Sequence, residues 1–273
     1  MLLRVVLFGG KGGVGKSTLA CATALKLSEH HKTLLLSIDP AHSLSGILQT
    51  KIGSEISKIT HNLYAQELSA EELVEKYSNK VLSALKEVIP TLRSGLEEYT
   101  KQLRYSPTAL ETALLDRLVD YFEEPFDFII LDSAPTGQMV RFFYTMNSLE
   151  NWFSFLEKIA EEKQKLESFM GRKDSLIELL RSRKERVKKV IKVLREKAII
   201  FAVTNEDPLS IEEGDSLQKH LRDFKVYKVI NRCRLEETPS LKIPYLENPF
   251  GIENLRKLRI DDLVKVIVST ESV

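Results

Sequence analysis

Cysteine is scarce in this sequence, long apolar runs are missing, and neither sign of charge dominates. Cys21 and Cys233 are the only cysteines among 273 residues, too few for a disulfide framework or a four-cysteine zinc site. Apolar runs such as 128–131 and 198–203 have the length of a strand, whereas a membrane span needs ~20 residues. The 40 basic and 39 acidic residues leave a net charge of +1, which argues against a nucleic-acid partner. We therefore expect a soluble, cytoplasmic protein from a reducing compartment.

The apolar residues that are present suffice for a sizeable core. They make up 43% of the chain beside 29% charged residues, which excludes a disordered or low-complexity protein. Nearly unbroken apolar runs are typical of parallel strands that are covered on both faces. The predicted strands are 2–8, 33–38, 126–131, 198–203 and 226–230. Because helical segments separate them, the sequence predicts an α/β fold with a Rossmann-like, mostly parallel sheet.

Two stretches between predicted strands are much longer than a crossover helix requires. Apolar residues recur every three or four positions in 70–85, 152–170 and 181–197, which predicts helices. We therefore predict a single domain over residues 1–273 that carries an inserted helical subdomain, formed by about 63–120 and 141–196. The apolar stripes fit either a helix-on-helix core or the wall of an apolar groove.

The most specific motif follows the first predicted strand. Residues 10–17 read G-K-G-G-V-G-K-S, which matches the phosphate-loop pattern G-x-x-x-x-G-K-[ST] of P-loop NTPases. Glycines let backbone N–H groups turn toward a polyphosphate, and the N-terminus of the next helix adds a favourable dipole. Lys16 is predicted to bridge the β- and γ-phosphates, Ser17 to bind Mg²⁺ and Thr18 to bond the α-phosphate. The predicted nucleotide contacts of the loop are Gly10, Lys11, Gly12, Gly13, Val14, Gly15, Lys16, Ser17 and Thr18.

Two aspartates follow predicted strands, at Asp39 and Asp132. Ligands of open parallel sheets bind beyond the carboxyl ends of the strands, where the phosphate loop also begins. Phosphoryl transfer needs Mg²⁺, an oriented water and neutralisation of developing charge. We predict that Asp39 activates the attacking water and helps to hold the metal, and that Asp132 is the Walker-B-like carboxylate near Mg²⁺. Taken singly, either aspartate could instead belong to an ordinary loop turn.

A second lysine in the loop, Lys11, gives the motif the deviant Walker A form. In this form the chain resembles the signature-lysine P-loop ATPases. In that family the extra lysine reaches across a nucleotide-bridged homodimer to the partner's phosphates. The resemblance thus implies ATP as the nucleotide, an ATP-dependent homodimer, and a catalytic set of Lys11, Lys16 and Asp39.

Other segments resemble one branch of that family, the ArsA and tail-anchored-protein targeting ATPases. D-P-A-H-S-L-S at 39–45 resembles switch I, and D-S-A-P-T-G-Q-M-V-R at 132–141 resembles switch II. V-T-N-E-D-P-L-S at 203–210 and V-I-N-R at 229–232 resemble its adenine-side segments, and residues 243–255 resemble the loop near the base. The resemblance implies adenine contacts from Asn205 and Asn231.

The sequence also departs from this branch. Gly46 stands where relatives usually have aspartate, and Gln138-Met139 stands where they usually have His-Thr. No C-x-x-C is present, so no structural zinc is expected, and the arsenite-sensing cysteine cluster is missing as well. Buried structural positions are expected for Cys21 and Cys233.

The resemblance implies a Mg²⁺-dependent ATPase that converts ATP to ADP and phosphate and acts as a nucleotide-switched dimer. Its implied partner is the hydrophobic transmembrane segment of a client membrane protein. Two alternatives stay open. One is an ATPase subunit or regulator of arsenite or anion efflux, with a membrane transporter as partner. The other is a nucleotide-dependent binding switch like MinD or ParA.

Two segments could serve a partner. The aromatic residues after switch II fit either core packing or a client groove, and they are Phe142, Phe143, Tyr144, Trp152, Phe153 and Phe155. The basic amphipathic helix at 181–197 fits either a solvated face or a contact with anionic lipid or an acidic partner.

Overall fold

The structure, a computed structural model, describes most of the chain. The described residues are 3–38, 43–88, 104–106, 108–132, 136–146, 148, 154, 158, 175–234 and 241–269. The elements in chain order are β1 (Arg4–Gly9), α1 (Lys16–Leu27), β2 (Thr33–Ser37), α2 (Ser43–Leu48), β3 (Ser57–Lys58), β4 (Leu63–Glu67), α3 (Ala70–Val88), α4 (Ala109–Glu123), β5 (Phe128–Asp132), α5 (Ser175–Lys197), β6 (Ala198–Thr204), α6 (Pro208–His220), β7 (Lys225–Cys233), β8 (Leu241–Pro244), α7 (Ile252–Leu255) and α8 (Asp261–Ser269). Residues 136–146 are also helical.

The eight strands form one sheet in the order β3-β4-β2-β5-β1-β6-β7-β8. All neighbours are parallel except β3 and β4. Every residue of β1, β2, β5 and β6 is buried, as their nearly continuous apolar runs predict for strands covered on both faces. The predicted α/β class with a mostly parallel sheet is confirmed.

All five predicted strands are present, but the sheet holds three more. β3 and β8 are short, and β4 contains Tyr64, Gln66 and Glu67, so none of the three has the apolar run that marks the others. The helical stretch consequently begins at Ala70 and not near residue 63, because Leu63–Glu67 belong to the sheet. The predicted helices at 70–85 and 181–197 lie within α3 and α5, whereas nearly all of 152–170 lies outside the described residues.

The chain divides into two compact units. The first unit comprises Met1–Ser69, Glu124–Val140 and Val193–Val273, and it contains the whole sheet. Helix α1 packs on this sheet through buried residues such as Leu19, Ala20 and Ala24. The loop that precedes α1 is thereby held against the carboxyl edge of the sheet.

The second unit comprises Ala70–Glu123 and Arg141–Lys192. Lys80 of α3 pairs with Asp116 of α4 at 2.7 Å. Arg186 of α5 pairs with Asp120 of α4 at 2.8 Å. Asp116 and Asp120 lie one turn apart on the same face of α4, so this face is joined by ion pairs to both neighbouring helices.

The basic helix α5 has a packed side and a solvent side. Val190, Ile191 and Leu194 are buried, while Lys192 and Lys197 are exposed. No helix within the described ranges combines the length and the apolar character that a bilayer crossing demands.

Candidate active site

The carboxyl ends of the central strands bring polar side chains into one row. Ser37 at the end of β2 pairs in register with Asp132 of β5 on one side and with Glu67 of β4 on the other. Asp132 also pairs with Phe8 of β1, two residues before Gly10. The phosphate loop therefore begins beside Asp132.

Two glycines of the loop occupy backbone conformations that other residues seldom adopt. Gly10 has φ 144° and Gly15 has φ 94°. A Cβ atom on Gly10 would collide with the carbonyl oxygen of Val203, and one on Gly15 would collide with the side-chain amide of Asn231. The path of the loop thus depends on glycine at both positions.

The two lysines of the loop differ in exposure. Lys16, the first residue of α1, is only 7% exposed, and its Nζ donates to the carbonyl oxygen of Lys11 at 3.1 Å. The side chain of Lys11 is exposed. The first turn of α1 contains no acidic residue, so nothing in that turn opposes the positive end of the helix dipole. Lys16 and the helix N-terminus together make the loop attractive to an anion.

Strand β7 braces the loop from the other side. The Asn231 amide donates to the carbonyl oxygen of Val14 at 2.8 Å, and Arg232 donates to that of Gly13 at 3.2 Å. Asn231 is 5% exposed. The structure brings the amide N–H of Asn231 to the phosphate loop, and the adenine contact that the resemblance implies for this residue stays a prediction. No feature of V-I-N-R predicted this brace, because the contact joins residues far apart in sequence.

Asp132 is fully buried at the end of β5. The Ser37 hydroxyl donates to its Oδ2 at 3.4 Å, and the backbone N–H of Ile38 donates to its carbonyl oxygen at 3.3 Å. Ser17 lies half-buried at the start of α1. Hydroxyl and carboxylate oxygens are the ligands that Mg²⁺ prefers, and Mg²⁺ often takes few protein ligands beside substrate phosphates. The chemistry of this donor set therefore fits Mg²⁺.

Cys21 lies on α1 near two carboxylates. Burial raises the pKa of its thiol well above the ordinary value, and the charges of Asp132 and Glu67 raise it further. A neutral, buried thiol of this kind acts as a small apolar side chain.

Residues 39–42 of the segment that resembles switch I lie outside the described residues, and they include the predicted Asp39. The structure describes the chain on either side of them. On the far side, Ser45 of α2 donates to Glu67 through its backbone N–H at 3.1 Å and through its hydroxyl at 2.8 Å. Sequence reasoning missed Glu67. Its signal in the sequence is a glutamate at the end of a strand next to β2. That signal could not be used, because β4 was not predicted as a strand.

The segment at 132–141 that resembles switch II is described except for residues 133–135. The hydroxyl of Thr136 donates to Glu213 of α6 at 2.6 Å. Met139 is buried, and its sulfur and Leu217 fill the space next to Gly9 that a Cβ atom would need. Met139, one of the departures from the usual branch sequence, therefore packs at the entrance of the phosphate loop, while Gln138 is exposed.

Asn205, for which the resemblance implies an adenine contact, directly follows β6. Its backbone N–H donates to the Ser210 hydroxyl at 2.8 Å. Its Oδ1 is buried and, within the described part of the chain, accepts no hydrogen bond. An acceptor that is buried without a donor fits the exocyclic amino group of adenine.

The aromatic residues after switch II divide into packed and outward-facing positions. Phe142 and Phe143 are 5% and 2% exposed, and their rings meet edge to face at 5.3 Å. Tyr144 is 56% exposed. Trp152, Phe153 and Phe155 lie outside the described residues. The packed pair fits the core alternative, which leaves Tyr144 as the described aromatic side chain that faces solvent in this run.

Nearly the whole chain matches one family of P-loop proteins. The model of the ArsA-type anion-transporting ATPases matches residues 3–269 of this chain. The chain belongs to the ArsA ATPase family. It is therefore a nucleotide-binding ATP hydrolase, and both the resemblance and the predicted hydrolase activity are confirmed.

Relatives of this ArsA-family chain carry two kinds of name. A protein of Aquifex aeolicus, provisionally named arsenical pump-driving ATPase 2, is 35% identical over 87% of this chain and 82% of its own length. The "ATPase get3" of Pyrenophora tritici-repentis is 26% identical over 82% of this chain and 71% of its own length. The "Arsenical pump-driving ATPase" of Escherichia coli is 32% identical over 56% of this chain and 27% of its own length. The chain thus spans only about a quarter of the Escherichia coli protein.

Proposed function

We propose that this ArsA-family chain hydrolyses ATP to ADP and phosphate with Mg²⁺, in the crevice between the phosphate loop and Asp132. The observation that carries the proposal is that a buried cation and a buried carboxylate follow two neighbouring strands: Lys16 begins the helix after the loop of β1, and Asp132 ends β5, which pairs with β1. Phosphoryl transfer depends on positioning and on neutralising charge, and Lys16 supplies a cation while Asp132 supplies an anionic ligand.

The residues have separable roles in this proposal. Lys16 and the N–H groups of residues 10–18 orient the triphosphate and draw charge toward the β- and γ-phosphates. Ser17 and Asp132, with Asp39, would hold the metal, which when bound neutralises charge on the phosphate oxygens. Asp39 accepts a proton from the attacking water and orients it. Asn205 accepts from the adenine amino group, and Asn231 keeps the loop in place beneath the nucleotide.

We further propose that two copies close around ATP. Support comes from the contrast between the two loop lysines: Lys16 turns back onto the loop, whereas the exposed Lys11 is available to a second copy. A cation from the partner would neutralise phosphate charge only in the closed dimer, so hydrolysis would depend on dimerisation.

For the client, we favour a hydrophobic transmembrane segment of a membrane protein. Two observations support this choice. The motifs at 39–45 and 132–141 resemble switch I and switch II of the branch that includes the targeting ATPases, and one relative is named "ATPase get3". Regulation of arsenite or anion efflux is the second candidate, and the names of the Aquifex aeolicus and Escherichia coli relatives favour it. A MinD- or ParA-like switch is the third, and none of the relatives named above carries such a name.

One experiment separates the first two candidates. Purified protein is mixed with Mg²⁺-ATP and a labelled peptide of ~20 apolar residues, the length of a membrane span, and capture and assembly are read by size-exclusion chromatography with light scattering. We expect ATP-dependent capture by a dimer, no capture by Lys11→Ala, and no change of ATPase rate on adding arsenite. The matched control is Lys51→Ala, which removes another exposed lysine of the first unit.

The opposite result would favour the efflux candidate. Strong stimulation of the ATPase by arsenite without peptide capture would contradict targeting. An identical oligomeric state with and without ATP, in wild type and in Lys11→Ala, would contradict the proposed role of Lys11.

A further inference from the structure

Glu67, the last residue of β4, is a buried carboxylate outside the predicted phosphate site. It is 5% exposed. Ser45 donates to both carboxylate oxygens of Glu67: its backbone N–H donates to Oε1 at 3.1 Å and its hydroxyl donates to Oε2 at 2.8 Å. Hydrogen bonds to an ionised acceptor are stronger than neutral ones, and two of them from one residue fix its orientation as well as its position.

Two further hydrogen bonds tie the chain after α2 to Ser45 and to β4. The N–H of Ile52 donates to the Ser45 hydroxyl oxygen at 3.2 Å, and the N–H of Glu67 donates to the carbonyl oxygen of Gly53 at 3.0 Å. A serine hydroxyl has one proton, and the shorter contact directs it to Glu67 and leaves the oxygen to accept from Ile52. Glu67, the final residue of β4, thus holds Ser45 in the first turn of α2 and also contacts Gly53 in the chain after that helix.

The position of Glu67 in the sheet connects it with the predicted metal ligand. Glu67, Ser37 and Asp132 lie in one register row of three parallel strands, so their side chains share one face of the sheet. Two strand spacings separate Glu67 from Asp132, roughly 10 Å between their backbones. Cys21 of α1 belongs to the buried cluster on the same face, together with Leu35, Ala65 and Ile130, each two residues before a member of the row.

The chain of switch I is attached to this row on both sides. Before residue 39, the N–H of Ile38 donates to the carbonyl oxygen of Asp132 at 3.3 Å. After residue 42, Ser45 donates two hydrogen bonds to the carboxylate of Glu67. The described residues on either side of 39–42 are therefore held by one contact at the end of β5 and one at the end of β4.

We propose that Glu67 is a positioning residue of the ATPase, which acts by holding Ser45 and so fixing the described chain that follows Asp39. This inference rests on the proposed role of Asp39. A displacement of ~1 Å in a catalytic group can cost as much as 10²-fold in rate, whereas nucleotide affinity depends mainly on the phosphate loop. Loss of the Glu67 contacts should therefore lower kcat and leave ATP binding nearly unchanged.

The test is a steady-state ATPase assay with a parallel measurement of ATP binding by calorimetry. Glu67→Ala should lower kcat at least ~10-fold with little change in the Kd for ATP. Glu67→Gln should recover part of the rate, because its amide oxygen accepts from the Ser45 N–H and its amide nitrogen donates to the Ser45 hydroxyl. Ser45→Ala should lower kcat less than Glu67→Ala, because the backbone donor remains. The double variant should be no slower than Glu67→Ala alone, since the two residues act as one contact.

Gln66→Ala is the matched control. Gln66 is 1% exposed on the same strand, but it points to the other face and donates to the carbonyl oxygen of Ser54. It should lose stability in thermal unfolding and keep the wild-type kcat. If Glu67→Ala does not fold, Ser45→Ala and Glu67→Gln decide the question in its place.

Wild-type kcat in Ser45→Ala together with either Glu67 variant would overturn the inference. Equal loss of kcat in Gln66→Ala would overturn it too, because a general loss of stability would then explain the effect. No ATPase in the wild-type chain would instead refute the proposed function, so the two failures are distinguishable.

Discussion

Among single residues, Asn231 shows how a polar side chain can control a phosphate loop from a distance in sequence. Asn231→Ala removes the donor to the Val14 carbonyl and leaves that buried oxygen without its partner. We expect a loss of about 1–3 kcal/mol in the free energy of unfolding and weaker ATP binding, because the loop is no longer held in its binding conformation. Urea unfolding and calorimetric titration measure the two effects.

The control for this prediction is Asn254→Ala, which removes a similar amide contact, to Phe250, on the exposed surface. Asn231→Asp provides a second check, because it keeps the shape of the side chain but cannot donate to Val14. ATP affinity in Asn231→Asp equal to that of wild type would rule out the brace.

The two thiols provide a prediction about reactivity. Burial, then Asp132 and Glu67, raise the pKa of Cys21, and burial with Glu206 raises that of Cys233 against a smaller opposing effect of Lys242. A raised pKa leaves less thiolate at a given pH, and the thiolate is the nucleophile. We expect both cysteines to react slowly with iodoacetamide at pH 8 in the folded protein and quickly in concentrated urea. Mass spectrometry of the labelled peptides reads the rates, and rapid labelling of Cys21 before unfolding would contradict its burial.

At the scale of elements, the start of switch II is joined to α6. The Thr136 hydroxyl donates to Glu213 of α6, and Met139 and Leu217 of α6 both lie beside Gly9. Glu213→Ala removes the hydrogen bond and leaves these two apolar side chains unchanged. We expect faster amide hydrogen exchange in 136–146 of the nucleotide-free protein, measured by mass spectrometry, because a local opening now breaks fewer contacts. Glu212→Ala, an exposed neighbour on α6, is the control, and equal exchange in both variants would refute the coupling.

Elements differed in how well the sequence could predict them. Strands such as Ala198–Thr204 are buried on both faces, so their apolar runs predict them directly. Strand β4 alternates apolar residues, Leu63 and Ala65, with polar ones. Its buried polar side chains, Gln66 and Glu67, are satisfied by hydrogen bonds to Ser54 and Ser45, which lie outside the strand. Composition alone cannot reveal such contacts. The contacts of Glu67 and Glu213 could not be predicted from the sequence either, because each joins residues that are far apart in the chain.

The site followed a similar division. The phosphate loop is local in sequence, so its glycines and lysines predict their own geometry, as the left-handed Gly15 illustrates. The braces of the loop come from β7 and depend on the order of strands in the sheet, which no local pattern contains. Motifs thus locate the chemistry, while the fold determines what holds it in place.

At the scale of the whole molecule, the first unit carries the described elements of the nucleotide site, and the second carries helices joined by ion pairs on α4. Membership of the ArsA family makes ATP hydrolysis the activity on which every further proposal depends. The residues that the proposal needs fall into two classes: Lys16 for binding and Asp39 for the chemical step. Their substitution should therefore give different kinetic outcomes.

The central claim is tested most directly by phosphate release from Mg²⁺-ATP, measured beside ATP binding, in wild type, Lys16→Ala and Asp39→Asn. The account predicts turnover by the wild type that stops when EDTA removes Mg²⁺. It predicts no detectable binding by Lys16→Ala, and near-normal binding by Asp39→Asn with turnover lowered by ~10²-fold or more, the scale of a lost catalytic acid–base group. Near-wild-type turnover in both variants would contradict the account, because hydrolysis would then take place elsewhere.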